Sequence, residues 1–332
     1  MFLHRALTCM AIACSALVAQ TPVLQIDAGL KVPFTFVAFG DTRFTDPADH
    51  KAANPEARQM LVKAMADLHP AFISIGGDIA YNGYNPKDWQ VYDQETSVWR
   101  AEKIPIFPIL GNHDLHGKES TALANYFQRY PELKHSRFYS VRAANSLLLN
   151  LDSSLEELSG PQGSWLKEEL DHLGPDVEFV FIVLHHPPYT SSTDAKTFGG
   201  GHSIRDSEKA LARMLEERQA HARARFVVLS GHVHNYERHE HGGVTYFVTG
   251  GGGAHAYPVE RAPEDPVQSN RINYHFLRVQ LERGEAILTM RRLGLETPTP
   301  QWTTEDSVRL RVSAISPAPG SSVGETAVVG AH

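Results

Sequence analysis

Five times along this chain an apolar run of strand length breaks off into a knot of polar residues, four of the five opened by glycine. Phe34 to Phe39 runs into Gly40-Asp41-Thr42-Arg43, and Ala71 to Ile75 into Gly76-Gly77-Asp78-Ile79-Ala80-Tyr81. Ile104 to Leu110 leads to Gly111-Asn112-His113-Asp114, and Glu178 to Leu184 to His185-His186-Pro187. Arg225 to Leu229 passes through Ser230 into Gly231-His232-Val233-His234-Asn235. Loops at the carboxyl ends of strands in an open α/β sheet converge on one crevice, where ligands bind. The pattern therefore predicts strands whose ends bring five polar clusters to one place, with glycines allowing close backbone approach.

The stretches between the runs support an α/β assignment. Pro55 to Leu68 sets Met60, Leu61, Ala64, Met65 and Leu68 on one helical face. Gln162 to Leu173 and Asp206 to His221 read as helices with acidic starts and basic ends, the arrangement the helix dipole favours. Ser146 to Leu151 reads as a further strand, and beyond Val244 strands predominate: Val244 to Thr249, His275 to Leu281 and Glu285 to Arg292. Helices covering packed sheets are the expected architecture. Residues 297–332, rich in Pro, Ser, Gly and Thr, read as a loosely ordered tail.

Composition narrows the partners. A net charge of -7 without a Lys/Arg run argues against a nucleic-acid-binding surface. Residues 1–19 combine Arg5, a short apolar stretch and small residues ending at Ala19, the layout of a secretory signal. Export to the periplasm or medium is expected, with lipidation at Cys14 the weaker alternative. No later stretch approaches the ~20 apolar residues of a membrane-spanning helix. The two cysteines, Cys9 and Cys14, both lie in this segment, so after cleavage any metal must be held by oxygen and nitrogen donors.

The pooled groups at the strand ends are Asp41, Asp78, Tyr81, Asn112, His113, His185, His232 and His234. Carboxylate, imidazole, amide and phenolate donors suit hard or borderline cations such as Fe, Mn and Zn. One buried Asp or His at a strand end is ordinarily a hydrogen-bonded structural residue. Five clusters in one chain favour a metal centre.

In their order, these motifs resemble those of the calcineurin-like metallophosphoesterases. Gly77-Asp78-Ile79-Ala80-Tyr81 and Gly231-His232-Val233-His234-Asn235-Tyr236-Glu237-Arg238 are similar to the purple acid phosphatase branch, as is Gly160-Pro-Gln-Gly-Ser-Trp-Leu-Lys-Glu-Glu-Leu170. The likeness covers Phe34 to Arg292 and implies a catalytic domain over residues 31–296. The fold it implies is a four-layer αββα sandwich, two mixed β-sheets packed face to face with helices outside. A separate β-sandwich ahead of it, as some purple phosphatases carry, is not expected.

Residue by residue, the resemblance implies a first metal held by Asp41, Asp78, Tyr81 and His234. A second would be held by Asp78, Asn112, His185 and His232, with Asp78 bridging. A phenolate at Tyr81 favours Fe(III) in the first position, and the second suits Fe(II), Zn(II) or Mn(II). His113 would be the proton donor, with Asp114 orienting it. Arg43 departs from the pattern: most of the superfamily has a histidine ligand there, and the purple phosphatase branch has glycine. Its guanidinium is expected to reach substrate phosphate, or else to remain an ordinary polar neighbour.

These parts imply hydrolysis of a phosphate monoester of a small molecule, by a metal-bound hydroxide with His113 as general acid. A phosphodiesterase on the same metals is the alternative, and a catalytically silent metal- or phosphate-binding protein a third reading. His202 is a candidate substrate-pocket residue, and His186 is expected behind the ligands. Asp152 reads as a buttress or a turn former, Gly250 to Gly253 as a tight turn near the site, and His239 and His241 as solvated.

Overall fold

The predicted apolar runs do form strands. The structure, a computed structural model, describes residues 23–192, 204–269, 271 and 273–312. Its strands are β1 (Gln25–Asp27), β2 (Phe34–Phe39), β3 (Ile73–Ile75), β4 (Ile106–Pro108), β5 (Tyr139–Ala143), β6 (Ser146–Asn150) and β7 (Phe179–Val183). They continue with β8 (Arg225–Ser230), β9 (Tyr236–His241), β10 (Val244–Thr249), β11 (Tyr274–Glu282), β12 (Glu285–Gly294) and β13 (Gln301–Arg311). The helices are α1 (Pro55–Asp67), α2 (Pro86–Glu95), α3 (Ser97–Ala101), α4 (Glu119–Arg129), α5 (Gly160–Asp171) and α6 (Asp206–Gln219).

Two mixed sheets result. One runs β1-β5-β6-β7-β8-β10-β9, and the other β13-β12-β11-β2-β3-β4. In the second sheet β2, β3 and β4 are parallel, and in the first β6, β7, β8 and β10 are parallel. All five strands that end in polar clusters belong to these parallel sets. Alternation decides which side chains face the other sheet: Leu148, Phe181, Val183, Val227 and Leu229 join the large core with Phe36 and Val37. Phe36 and Phe181 meet edge to face at 5.2 Å, one from each sheet.

The opposite side of the first sheet is covered by helices. Leu166 and Leu170 of α5 and Leu211 and Leu215 of α6 pack on Leu149, Val180 and Val228. Each such buried leucine contributes about 1.5–3 kcal/mol relative to exposure. Helix α1 packs Leu61 and Met65 into the larger core beside β11. It is started by Asn54, whose side chain accepts from Ala57 N at 2.9 Å, and by Pro55 at its first position. The architecture is the expected α/β sandwich of two mixed sheets with helices.

The expected tail at 297–332 is corrected over part of its length. Residues Gln301–Arg311 form an edge strand paired antiparallel to β12 from Gly294↔Gln301 to Glu285↔Arg311. Only Leu310 of this strand is buried, so it lacks the apolar signature of a core strand and is held by its backbone ladder. Residues 313–332 and the expected signal at 1–19 lie outside the described residues.

Candidate metal centre

The five strand ends come together where the two sheets meet. Gly76 O, after β3, accepts from His185 Nδ1, after β7 in the other sheet, at 2.8 Å. Four non-glycine residues here adopt left-handed backbone: Asp41 (φ 61), Arg43 (φ 44), Asp78 (φ 52) and His232 (φ 70). Such positions cost on the order of 1–3 kcal/mol each and collect at functional sites. Close approach explains two glycines. A Cβ on Gly111 would lie 2.3 Å from Asp78 N and Oδ1, and one on Gly231 would lie 2.4 Å from Asp41 Oδ2.

Asp78 joins two sets of donors. Ligating atoms of Asp41, Asp78 and His234, all buried, lie within 4.8 Å of one another. On the other side, His185 Nε2 is 3.3 Å from Asp78 Oδ1, 3.1 Å from Asn112 Oδ1 and 3.2 Å from His232 Nδ1. His232 Nδ1 is also 3.1 Å from Asn112 Oδ1. Backbone carbonyls fix two tautomers, because a carbonyl can only accept. Gly76 O takes the Nδ1 proton of His185, and His255 O that of His234 at 3.0 Å, so both Nε2 lone pairs face inward.

This donor set fits metal ions. Asp41 Oδ1 is buried without a hydrogen-bond partner, an arrangement that costs free energy unless a cation satisfies it. Asp41 Oδ2 accepts from His232 N at 2.9 Å. Burial, then the neighbouring Asp78 carboxylate, push the Asp41 carboxyl well above its ordinary range, against the pull of Arg43. For Asp78, burial is the largest single influence and acts upward, yet His185, His113 and Arg43 together hold it below the ordinary range. Two carboxylates and four uncharged acceptors converge without enough positive charge among them, which divalent or trivalent ions supply.

His113 lies beside Asp78, its side chain largely buried. Its Nδ1 donates to Tyr81 O at 2.7 Å, its backbone N donates to Asp78 Oδ1 at 2.9 Å, and Nε2 stands 4.0 Å from Asp78 Oδ2. Burial lowers its pKa to about 4, with Asp78 opposing. The expected orienting role of Asp114 is not what the structure has. Asp114 Oδ1 accepts from Ile79 N and Ala80 N, and Oδ2 from Gly111 N, at 2.9 to 3.0 Å. Its carboxylate is occupied in clamping two ligand loops together, and burial raises its pKa to about 8. The Tyr81 carbonyl orients His113 instead, a contact with no side-chain signal in the sequence.

Tyr81 follows Asp78 on the loop after β3. Its ring stacks on His113 at 5.4 Å, and it is 36% exposed, with no hydrogen bond from its phenol to a described residue. Arg43 is brought in, with Nη2 3.4 Å from Asp78 Oδ2. His186 stands behind the ligands as expected, bonding Ser153 Oγ at 2.8 Å with its ring 4.3 Å from that of His232. Asp152 is a turn former, accepting from Ser154 N at 2.9 Å, and it also accepts from Arg137 Nε at 2.5 Å. The Gly250 to Gly253 turn backs onto Asp41: a Cβ on Gly250 would lie 2.9 Å from Asp41 Oδ2. His202 lies outside the described residues.

His239 is not solvated. It is buried between Glu237 and Asp265, at 3.2 and 3.3 Å, because carboxylates from a strand and a loop enclose it. His241 is half-buried and stacks on Tyr189 at 3.9 Å.

Comparison with known proteins identifies the family and agrees with the fold. Residues 34–236 match the profile of the calcineurin-like phosphoesterase family. Over 228 residues the chain is 25% identical to purple acid phosphatase 5 of Arabidopsis thaliana, covering 67% of this chain and 49% of that protein. The chain thus spans about half the length of this curated relative. Purple acid phosphatase PPD1 from yellow lupin superposes with a TM-score of 0.64 at 17% identity, over 85% of this chain and 54% of the lupin chain. GAP50, the anchor in the inner membrane complex of Plasmodium, does so with 0.59 at 16%, over 85% and 90%. At these identities the two structures speak for the fold.

Proposed function

Because this chain belongs to the calcineurin-like phosphoesterase family, we propose that it hydrolyses phosphate monoesters of small molecules at a centre of two metal ions, as purple acid phosphatases do. The observation that carries this reading is the position of Asp78, one oxygen beside His185 and the carboxylate within ligating reach of Asp41 and His234. Asp41, Asp78 and His234, with Tyr81 on the same loop as Asp78, would hold the first ion. A phenolate donor there makes Fe(III) the fitting occupant. Asp78, Asn112, His185 and His232 would hold Fe(II), Zn(II) or Mn(II). When bound, the ions neutralise the phosphoryl charge and make water acidic enough to attack near neutral pH.

The chain's own residues supply the rest. His113, fixed by the Tyr81 carbonyl, presents Nε2 to the leaving oxygen and donates its proton there. An incoming phosphate dianion provides the negative charge that draws a proton onto this otherwise easily deprotonated ring. Arg43 adds a guanidinium that matches phosphate oxygens and favours the doubly charged monoester over a diester. Asp114 keeps the Asp78 and Asn112 loops in register. The segment at 1–19 supports export, so the enzyme would act in the periplasm or medium.

Exhaustive chelation followed by reconstitution with iron plus zinc or manganese tests the reading. Hydrolysis of p-nitrophenyl phosphate should disappear and return. Activity that survives complete metal removal would sink it.

A further inference from the structure

Arg43 stands where the family pattern has no cation, and it touches the carboxylate that the two donor sets share. The two Asp78 oxygens have different neighbours. Oδ1 accepts from His113 N at 2.9 Å and lies 3.3 Å from His185 Nε2, on the side of Asn112 and His232. Oδ2 faces Arg43 Nη2 at 3.4 Å. Arg43 also lies on the loop that carries Asp41 and draws that carboxyl's pKa down against its burial, which ties the guanidinium to the position of Asp41 and His234.

The backbone directs the guanidinium there. Arg43 N donates to Asp78 O at 2.9 Å, and Arg43 O accepts from Arg58 Nη1 at 3.1 Å. Arg58 is itself fixed by Glu95, Nη2 to Oε1 at 2.7 Å. Residue 43 is thus tied on both sides in a left-handed conformation (φ 44), and its side chain is only 15% exposed. Arg43 Nε is buried without a hydrogen-bond partner, so this guanidinium is not held by a full set of neutral acceptors. What draws it in is the charge of Asp78.

We propose that Arg43 is a built-in counter-cation that competes with the metal at the Asp41–Asp78–His234 position, so that the two positions load unequally and Arg43 leaves Asp78 as the weaker one fills. The inference rests on the two-metal reading above. The position holding Asn112, His185 and His232 binds first and more tightly. The other binds weakly because an ion must both displace the guanidinium from Asp78 and remain near its positive charge. Once displaced, the same guanidinium is released toward the cleft, which links metal loading to phosphate binding.

Mn(II) titration of the metal-free full chain by calorimetry, with Arg43→Met, Arg43→Gly and Arg43→Lys beside the wild type, tests this without reference to turnover. Methionine keeps side-chain length without charge. Glycine relieves the left-handed backbone, so it guards against a variant that fails to fold. The wild type should show a tight and a weak event, and His234→Ala should lose the weak one. Arg43→Met and Arg43→Gly should tighten the weak event by at least about tenfold, as expected for removing a unit charge a few ångströms from an ion, and leave the tight event within about threefold. Arg43→Lys should resemble the wild type. Equal affinities in the wild type and both neutral variants would overturn the role of Arg43 while leaving two-metal binding intact. Absence of any Mn(II) binding in all of them would overturn the metal centre and this inference with it.

Discussion

Asp78 Oδ1 and His185 Nε2 lie 3.3 Å apart across the junction of the two sheets, one at the end of β3 and the other at the end of β7. The contact makes Asp78 the member common to both donor sets. Asp78→Ala should therefore abolish stoichiometric metal binding at both positions, whereas His234→Ala should remove one equivalent and leave the other. Metal analysis after equilibrium dialysis checks this; one full equivalent retained by Asp78→Ala would argue against a shared ligand.

His113 Nδ1 is held by a backbone carbonyl rather than by a carboxylate, with Nε2 4.0 Å from Asp78 Oδ2. A general acid matters most when the leaving group is a poor one. His113→Ala should slow alkyl phosphate hydrolysis by about 10²–10⁴-fold, and slow p-nitrophenyl phosphate, whose leaving group needs little protonation, much less. Equal losses on both substrates would remove the proton-donor role.

Gly111 has no room for a side chain. An added Cβ would lie 2.3 Å from Asp78 N and Oδ1, and backbone cannot yield as a flexible side chain can. Gly111→Ala should cost roughly 1–3 kcal/mol in denaturant unfolding and weaken binding at both metal positions, because Asp78 is pushed away from each. A variant with unchanged stability and metal affinity would contradict the packing described.

Away from the site, Glu157 is buried beside Glu208, with Arg205 close to both. Burial, and then the hydrogen bond and charge of Glu208, raise its pKa to about 8. In the unfolded chain it titrates near ~4.3. Between those values the folded state keeps a proton that the unfolded state has lost, so stability is full below the unfolded pKa and falls as pH rises toward 8. Glu157→Gln removes this loss. Relative to the wild type, the variant should gain stability steadily as pH rises from about 5 to about 8, by up to ~1.4 kcal/mol per pH unit. Parallel stability–pH curves for the two proteins would show that Glu157 ionises normally.

Much of this was legible because the strand ends combine two signals that local sequence carries well. An apolar run marks a buried strand, and a Gly-Asp or Gly-Asn-His step just after it marks a place where chain and ligand must come close. What escaped depended on tertiary partners. Asp114 follows His113 and reads as its companion, yet the short 3₁₀ turn there points its carboxylate at the amides of Ile79, Ala80 and Gly111. His239 lies among charges and reads as solvated, but those charges, Glu237 and Asp265, are what enclose it. Strand β13 has few buried apolar residues, and the ladder to β12, the bonds of Asp306 to Tyr236 and Arg238 and the packing of Trp302 on Phe276 order it. Arg43 was recognisable as a departure, but its contact with Asp78 Oδ2 required the left-handed turn of the Asp41 loop.

Monoesterase activity at a two-metal centre is tested most sharply by hydrolysis of p-nitrophenyl phosphate beside bis-p-nitrophenyl phosphate, using protein reconstituted with iron plus zinc or manganese. Metal-dependent turnover is expected, with kcat/KM for the monoester exceeding that for the diester by at least about tenfold, a difference of about 1.4 kcal/mol in transition-state binding. A preference for the diester would contradict the monoesterase claim, and silence on both with metals bound would contradict the enzyme claim itself.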